Sequence, residues 1–448
     1  MINKKHTRRE FLAGTSKIAL VGAALPMFVP SSVLGKDPPS DRLNVACIGM
    51  GGRMRNLHGN LKGRKQNVIA YCDVETGRAA RHKAKTYKDY RKLLESEKSL
   101  DAVVVGTPDH WHAKICTAAI EAGKHVFCEK PLTHTVAEAR ALGELARKSK
   151  VVTQTGNQGS ASTNFRRSIE LIRAGIPGKI GEIHIWHPKH GWPSGIDRPA
   201  GEDKLPSGFD WDFWIGPAPM RPYKNGIYHP AKWRGWYDFG GGSIADFCCH
   251  SFSMPVKALE LGHPERIEVS GKGLGKESFA SSCTVKFRFP ARGKRGPVTI
   301  NFYTGGDMPP PETMAGVKET FNRINRTGAL LIGEKGTIMA GLWNSQCLLK
   351  MKEDKKFRGG FIHDAAKGVP QTLPRAHGHM EEWLDACKGK GKTFSPFEFG
   401  SHVTEIGSAG VVALRLQRNI EWDGKAMKVK GAPKADALIN PKPRKGWA

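Results

Sequence analysis

Short apolar runs alternate with amphipathic stretches through the first third of the chain. Runs at 44–49 (Asn-Val-Ala-Cys-Ile-Gly), 67–73, 101–106, 125–128 and 151–155 each predict a buried strand. A short helix is expected over 89–95. Between the third and fourth runs, 110–122 sets Ile115, Ala119 and Ile120 on one side of a helix. Between the fourth and fifth, 136–148 does the same with Ala139, Leu142 and Leu145. Apolar strands alternating with helices predict a parallel sheet covered on both faces, and right-handed crossovers make it doubly wound, over 41–160.

Beyond residue 160 the pattern changes. A helix at 164–174 is stopped by Gly175, and 180–186 begins an alternating strand. Residues 190–242 are rich in Trp, Gly and Pro and predict a long loop region. Runs at 267–270, 281–289, 298–304 and 330–339 predict strands whose mixed polarity suits an antiparallel sheet with one exposed face. Helices are expected at 377–387 and 402–416, and no internal repeat is present.

The first 35 residues read as a targeting segment and are set apart from the fold. Lys4, Lys5, Arg8 and Arg9 precede a mostly apolar stretch at 18–29, and small residues follow at 31–35. Thr7-Arg8-Arg9-Glu10-Phe11-Leu12 looks like a twin-arginine signal, which places the mature protein in the periplasm or otherwise outside the cytoplasm. An uncleaved anchor or a basic tail is the alternative; the apolar stretch is short for a stable span. No other segment predicts a membrane span. Residues 36–41 form a Pro-Pro-Ser linker.

Composition adds a charge argument. The chain has 448 residues and a formal net charge of +28, with the positive residues scattered. No nucleic-acid recognition motif accompanies that charge. A solvated basic surface accounts for it, and so would an acidic partner such as a uronate-bearing or sulfated glycan. The nine cysteines include no Cys-x-x-Cys pair, and Cys47, Cys72 and Cys128 fall inside apolar runs. They are expected to be small buried hydrophobes, and no metal site is expected.

Chemistry gathers at the ends of the predicted parallel strands. Gly49-Met50-Gly51-Gly52 follows the first strand, where glycines let a pyrophosphate approach backbone N–H groups at a helix start. Met54 stands where a third glycine is usual. Asp73 ends the second strand and could accept hydrogen bonds from adenosine ribose hydroxyls, or serve as a helix N-cap. Arg78 and Arg81 nearby leave NADP open beside NAD. Thr107 and Pro108 end the third strand. His110 and His112 start the next helix on different faces, which suits packing and cofactor contact better than metal binding. Glu129-Lys130-Pro131 ends the fourth strand. Lys130 there could hydrogen-bond a substrate hydroxyl and relay its proton, while Glu129 orients a ribose or pairs with Lys130; a surface ion pair is the plainer reading.

These motifs, with Gly156-Asn157-Gln158, resemble the glucose-fructose oxidoreductase / inositol dehydrogenase family, Gfo/Idh/MocA. The resemblance covers nearly all of 41–448, most sharply its first half. It implies an α/β architecture with an N-terminal Rossmann dinucleotide-binding domain at 41–160. A C-terminal α/β substrate and oligomerisation domain would follow at 161–448, with a large open, mostly antiparallel sheet. The implied cofactor contacts are Gly49, Gly51, Gly52, Arg53, Asp73, Thr107, Pro108, His112, Glu129, Lys130, Asn157 and Gln158. The family also supplies an Asp and a His four residues apart, here Asp246 and His250. On a helix that spacing puts both on one face, and a His titrates near neutrality as a base should. Lys130, Asp246 and His250 are thus the implied catalytic set, with Trp233 and Arg234 joining them at the substrate. Tryptophans 192, 211, 214, 233 and 236 fit carbohydrate stacking or a structural role equally.

The expected activity is hydride transfer between a sugar or cyclitol hydroxyl carbon and NAD or NADP. A homo-oligomer, dimer or tetramer, is also implied. Export argues for a tightly held cofactor, because free dinucleotide would be scarce outside the cytoplasm. Two other activities stay open: glycoside cleavage with bound NAD as a recycled catalyst, and non-catalytic sugar binding.

Overall fold

The computed structural model describes residues 41–188 and 191–447, so the twin-arginine segment lies outside the described residues. Six strands, β1 (Asn44–Ile48), β2 (Asn67–Cys72), β3 (Lys85–Tyr87), β4 (Ala102–Val105), β5 (His125–Cys128) and β6 (Thr153–Thr155), form a wholly parallel sheet in the order β3-β2-β1-β4-β5-β6. Strand alternation divides its side chains between two cores. Ala46, Ile48, Val103, Val105 and Cys128 face one side with Ile115, Ala119 and Leu142. Val45, Cys47, Val104 and Phe127 face the other with Met54, Leu57 and Leu61.

Helices cover both faces. α1 (Gly52–Gly63) lies on the second face, while α2 (Asp109–Glu121) and α3 (Val136–Lys148) lie on the first. The start of α3 is fixed by a reciprocal capping box between Thr135 and Glu138. A further helix comes from far along the chain: Met380, Trp383 and Leu384, from the expected helix near 377–387, complete the core of the second face.

A ten-stranded sheet follows. Its strands are β7 (Ile180–His187), β8 (Arg266–Lys272), β9 (Ser282–Phe289), β10 (Val298–Thr304), β11 (Gly328–Gly333), β12 (Gly336–Met339), β13 (Leu348–Met351), β14 (Arg358–Gly359), β15 (Ile420–Asp423) and β16 (Lys428–Val429). The order is β14-β13-β12-β11-β7-β10-β9-β8-β15-β16, antiparallel except where β10 runs parallel to β7. The single strand expected over 330–339 is instead the hairpin β11–β12. A Cβ at Gly333 would collide with the Pro177 carbonyl, so the chain bends there. Helices α4 (Thr163–Arg173), α5 (Gly242–Ser251), α6 (His379–Cys387) and α7 (Phe397–Leu416) belong to this half of the sequence. Of these, α4, α5 and α7 pack their apolar faces on the large sheet. No helix among the described residues is long and apolar enough to cross a membrane.

The aromatic segment is ordered around its own core. Trp211, Trp214, Tyr223, Tyr228, Trp233, Trp236 and Phe239 pack together. Trp236 is fully buried and offers no face to a sugar. The segment also grips the parallel sheet: Thr76 N donates to Gly208 O and Asp210 N to Val74 O, both at 3.1 Å.

Candidate functional site

The carboxyl ends of β1, β2, β4 and β5 open into one cavity of about 540 Å³, which Gly49, Asp73, Thr107, Pro108 and Glu129 help line. Gly49 has φ +84°, and a Cβ on it would approach Thr107 N at 2.6 Å. Only glycine allows that turn. Helix α1 then begins with no side-chain cap and no acidic residue in its first turn. A Cβ at Gly52 would meet nothing within 4 Å. Open space beside uncapped helix amides is what an anionic diphosphate needs. The absent third glycine has a substitute. Met54 is buried, and a Cβ at Gly106 would approach its Cε at 3.1 Å. Helix and strand therefore meet with the small residue on the strand.

Asp73 is held inside this turn. Its Oδ2 accepts from Met50 N at 2.6 Å and its Oδ1 from Glu75 N at 2.8 Å. Burial raises the pKa of its carboxyl, and those two N–H groups and Arg78 oppose the rise. Arg78 is steered by Glu75 at 2.6 Å and by His229 at 2.9 Å, and it reaches over Gly51. His229, Pro230 and Ala231 of the aromatic segment line the same cavity, so that segment walls the dinucleotide end of the cleft.

Glu129 pairs with Arg53 at 2.7 Å. The ammonium of Lys130 turns the other way, to Asp246, so a Glu129–Lys130 side-chain pair does not form. Gln158 and Arg53 line the cavity. His112 and Asn157 do not. The ring nitrogens of His112 lie 2.7 Å from Pro131 O and 2.9 Å from Thr107 O, and Asn157 Nδ2 donates to Ser253 Oγ at 2.9 Å. Both are buried and bond neighbouring groups behind the cavity. His112 ties the loop carrying Thr107 to the loop carrying Lys130.

At the far end of the cavity, α5 carries Asp246 and His250 one turn apart. His250 lines the cavity with Phe247, but Asp246 points instead at two cations. Lys130 Nζ donates to Asp246 Oδ1 at 2.8 Å and to its backbone O at 3.2 Å, and Arg234 Nε lies 3.3 Å from the same Oδ1. Burial pushes the Asp246 carboxyl up. The Lys130 and Arg234 charges more than reverse this and hold it at about 2. The two residues expected to meet a ligand side by side therefore divide, His250 toward the cavity and Asp246 toward Lys130. Burial, then the Lys130 charge, pushes the His250 pKa well below its usual range. The ring is neutral at pH 7, without the charge of a second ring proton. Trp233 and Arg234 also line the cavity, the guanidinium lying 4.3 Å over the Trp233 ring.

Two lining residues escaped the sequence. Asp109, in the first turn of α2, is 3% exposed. Burial pushes its carboxyl well above the usual range; Arg234 and Lys130 oppose this and Asp246 adds to it. An acid in a helix's first turn is common for dipole reasons, which hides such a residue. Its place directly after Thr107-Pro108 was the available signal. Trp343 lies on the β12–β13 loop, remote in sequence, with its ring 6.2 Å from that of His250. Among the described residues, no group of three His, Cys, Asp or Glu is placed to hold a metal ion.

Two family models match the chain. The oxidoreductase family, NAD-binding Rossmann fold, matches residues 43–157, and the oxidoreductase family, C-terminal alpha/beta domain, matches 176–288. Inositol 2-dehydrogenase of Salmonella typhimurium is 30% identical over 158 residues, 33% of this chain and 45% of that protein. Myo-inositol 2-dehydrogenase of Thermotoga maritima is 33% identical over 150 residues, 32% of this chain and 44% of that protein. The chain thus spans less than half the length of these curated relatives. The WlbA dehydrogenase from Chromobactrium violaceum, solved with NADH and UDP-GlcNAcA, superposes with a TM-score of 0.60 at 16% identity, over 86% of this chain and 96% of that one. At that identity the likeness concerns the fold.

Proposed function

Because the chain belongs to the Gfo/Idh/MocA oxidoreductase family, whose NAD-binding Rossmann domain it carries, we propose that it moves a hydride between NAD and a hydroxyl-bearing carbon of a sugar or cyclitol. One observation carries the reading. The glycine turn, Lys130 and His250 line a single continuous cavity. The uncapped N-terminus of α1 and Arg78 would hold the diphosphate, and Asp73 the adenosine ribose. Bound there, the nicotinamide supplies hydride acceptance or donation.

The chain's own residues manage the proton. An ammonium has three N–H donors, and Lys130 commits two of them to Asp246. The third is free to bond the substrate oxygen and stabilise charge developing on it. Neutral His250 takes the hydroxyl proton. Asp246 and Arg234 act through Lys130, as positioning residues. Phe247, Trp233 and Trp343 wall the site against water.

A second reading has its own support. The aromatic segment walls the dinucleotide end, which favours a retained cofactor and hence redox-neutral glycoside cleavage with NAD recycled in place. Export by the twin-arginine route is part of the same proposal, on the strength of Arg8-Arg9 and the apolar stretch after it. Assembly as a homo-oligomer remains an expectation from the family resemblance.

Mass spectrometry of co-purifying dinucleotide, then a polyol and glycoside panel read by nicotinamide absorbance and by aglycone release, tests the reading. Lys130→Ala and His250→Ala should each lower turnover at least about 100-fold while dinucleotide stays bound. Full turnover in both variants would overturn the assignment. Aglycone release without net nicotinamide reduction would select the second reading.

A further inference from the structure

Trp343 is 47% exposed, yet its loop is firmly held. Asn344, at φ +52°, accepts from Met254 N at 3.2 Å and donates to Gly341 O at 3.3 Å. The Trp343 carbonyl lies against Gly159, where any Cβ would collide with it. The loop is thereby pinned to the Gln158–Ala161 turn beside the cofactor cleft and to the helix at Ser253–Leu259. A large apolar ring left in water on a fixed loop is an unfilled contact surface.

Trp343 lines two cavities. One is the site above. The other, of about 570 Å³, is lined by Arg323, Ile324, Asn325, Arg326 and Gln346 among others, and by no carboxylate. Ile324 is also half exposed. Arg323 and Arg326 are exposed, and among the described residues neither has a carboxylate within ion-pair distance. The backbone between them is fixed, since Trp186 Nε1 donates to Asn325 O at 2.7 Å. The first cavity has a mixed lining, Asp73, Asp109 and Glu129 beside Arg53, Arg78, Lys130 and Arg234 among others.

We propose that the cavity beyond Trp343 is a second sugar subsite, taking an anionic unit linked to the ring presented to Lys130 and His250. The inference rests on the proposed activity at the first cavity. An aromatic face stacks on sugar C–H groups, and amide side chains meet hydroxyls. Two unpaired guanidinium groups suit a carboxylate or a sulfate ester, which they can grip bidentately. The lining of the second cavity holds no carboxylate to repel such a group, which places the anionic unit there. The chain's net charge of +28 favours encounter with such a substrate.

The test is calorimetric titration of the NAD-loaded protein with cellobiose, cellobiouronic acid, a sulfated cellobiose, glucose and glucuronate. The acidic disaccharides should bind at least tenfold tighter than cellobiose and than glucuronate. The R323Q/R326Q variant should lose that preference and still bind cellobiose. Trp343→Ala should weaken every disaccharide. Tighter binding of either the uronate or the sulfate supports the subsite and identifies its anion. Equal affinities, no binding of either acidic disaccharide, or a preference that survives in R323Q/R326Q would overturn it. So would an altered oligomeric state of that variant, which would assign the pocket to a subunit contact. Dinucleotide content and nicotinamide reduction on the polyol panel are read on the same wild-type preparation. Their loss defeats the proposed activity, whereas their persistence without anion preference defeats only the second subsite.

Discussion

Lys130 Nζ lies 2.8 Å from Asp246 Oδ1, joining the end of a parallel strand in the first half of the chain to a helix in the second. Asp246 is buried, and it stays ionised because Lys130 and Arg234 outweigh the penalty of burial. Asp246→Asn keeps the shape and removes the charge that aims the ammonium. It should lower kcat by about 100-fold, with a smaller change in KM and dinucleotide affinity. Leaving Lys130 and Arg234 without their counter-charge should also reduce stability, by on the order of 3 kcal/mol. Steady-state kinetics and denaturant unfolding check both. An unchanged kcat would remove Asp246 from the proton-handling machinery.

Asp109 should behave in the opposite way in stability. Its carboxyl pKa is raised by burial, so between the unfolded value and the raised folded value the native state binds the extra proton. Stability from this group is present at low pH and is lost as pH rises through that window. Asp109→Asn, neutral and of the same shape, escapes the loss. It should be at least as stable as the wild type at neutral pH, yet less active, because the field around Lys130 and Arg234 changes. Thermal unfolding and pH-rate profiles decide. A large loss of stability in Asp109→Asn would make the residue a structural acceptor instead.

The parallel sheet was legible because its strands are buried on both faces and so read as unbroken apolar runs. β3 was missed: Lys85–Tyr87 is a short polar edge strand with no apolar signature. The hairpin β11–β12 read as one strand because only two residues separate its arms, and neither is a strong turn former. Asp246 and His250 could be placed on one helix from spacing, but not their divergence, since the partner of Asp246 is Lys130, more than a hundred residues away. Similarly, His112 and Asn157 sit inside the right motifs, but tertiary packing turns the His112 ring to neighbouring backbone and the Asn157 Nδ2 to Ser253.

Dinucleotide choice should depend on Asp73. Its half-buried carboxylate would stand beside a 2′-phosphate, while Arg78 is already engaged by Glu75. NAD should therefore bind better than NADP. Asp73→Ser should narrow that preference at least tenfold, about 1.4 kcal/mol. Absolute affinity for NADH should also fall, since Met50 N and Glu75 N lose their acceptor. Titration of NADH and NADPH by nicotinamide fluorescence measures both effects. A preference that does not change would place the discrimination elsewhere.

Acid should unfold this protein early. His110 is held neutral by burial, its pKa pushed down to about 3. Burial likewise pushes His112, His134 and His379 down to about 4. In the unfolded chain each titrates near 6.5. Below that value the unfolded state binds protons that the native state refuses, so stability falls as pH falls. Each histidine contributes a slope of about 1.4 kcal/mol per pH unit, and the four together cost about 5.6 kcal/mol over one pH unit well below about 6.5. That is a large fraction of the roughly 5–15 kcal/mol typical of native domains. Unfolding midpoints in denaturant, followed from pH 7.5 to pH 5, should drop steeply below about 6.5. His110→Gln, which keeps a polar side chain without the titration, should flatten the slope by about one proton. A midpoint that holds steady to pH 5 would mean these rings accept protons in the folded state and are not buried as the fold describes them.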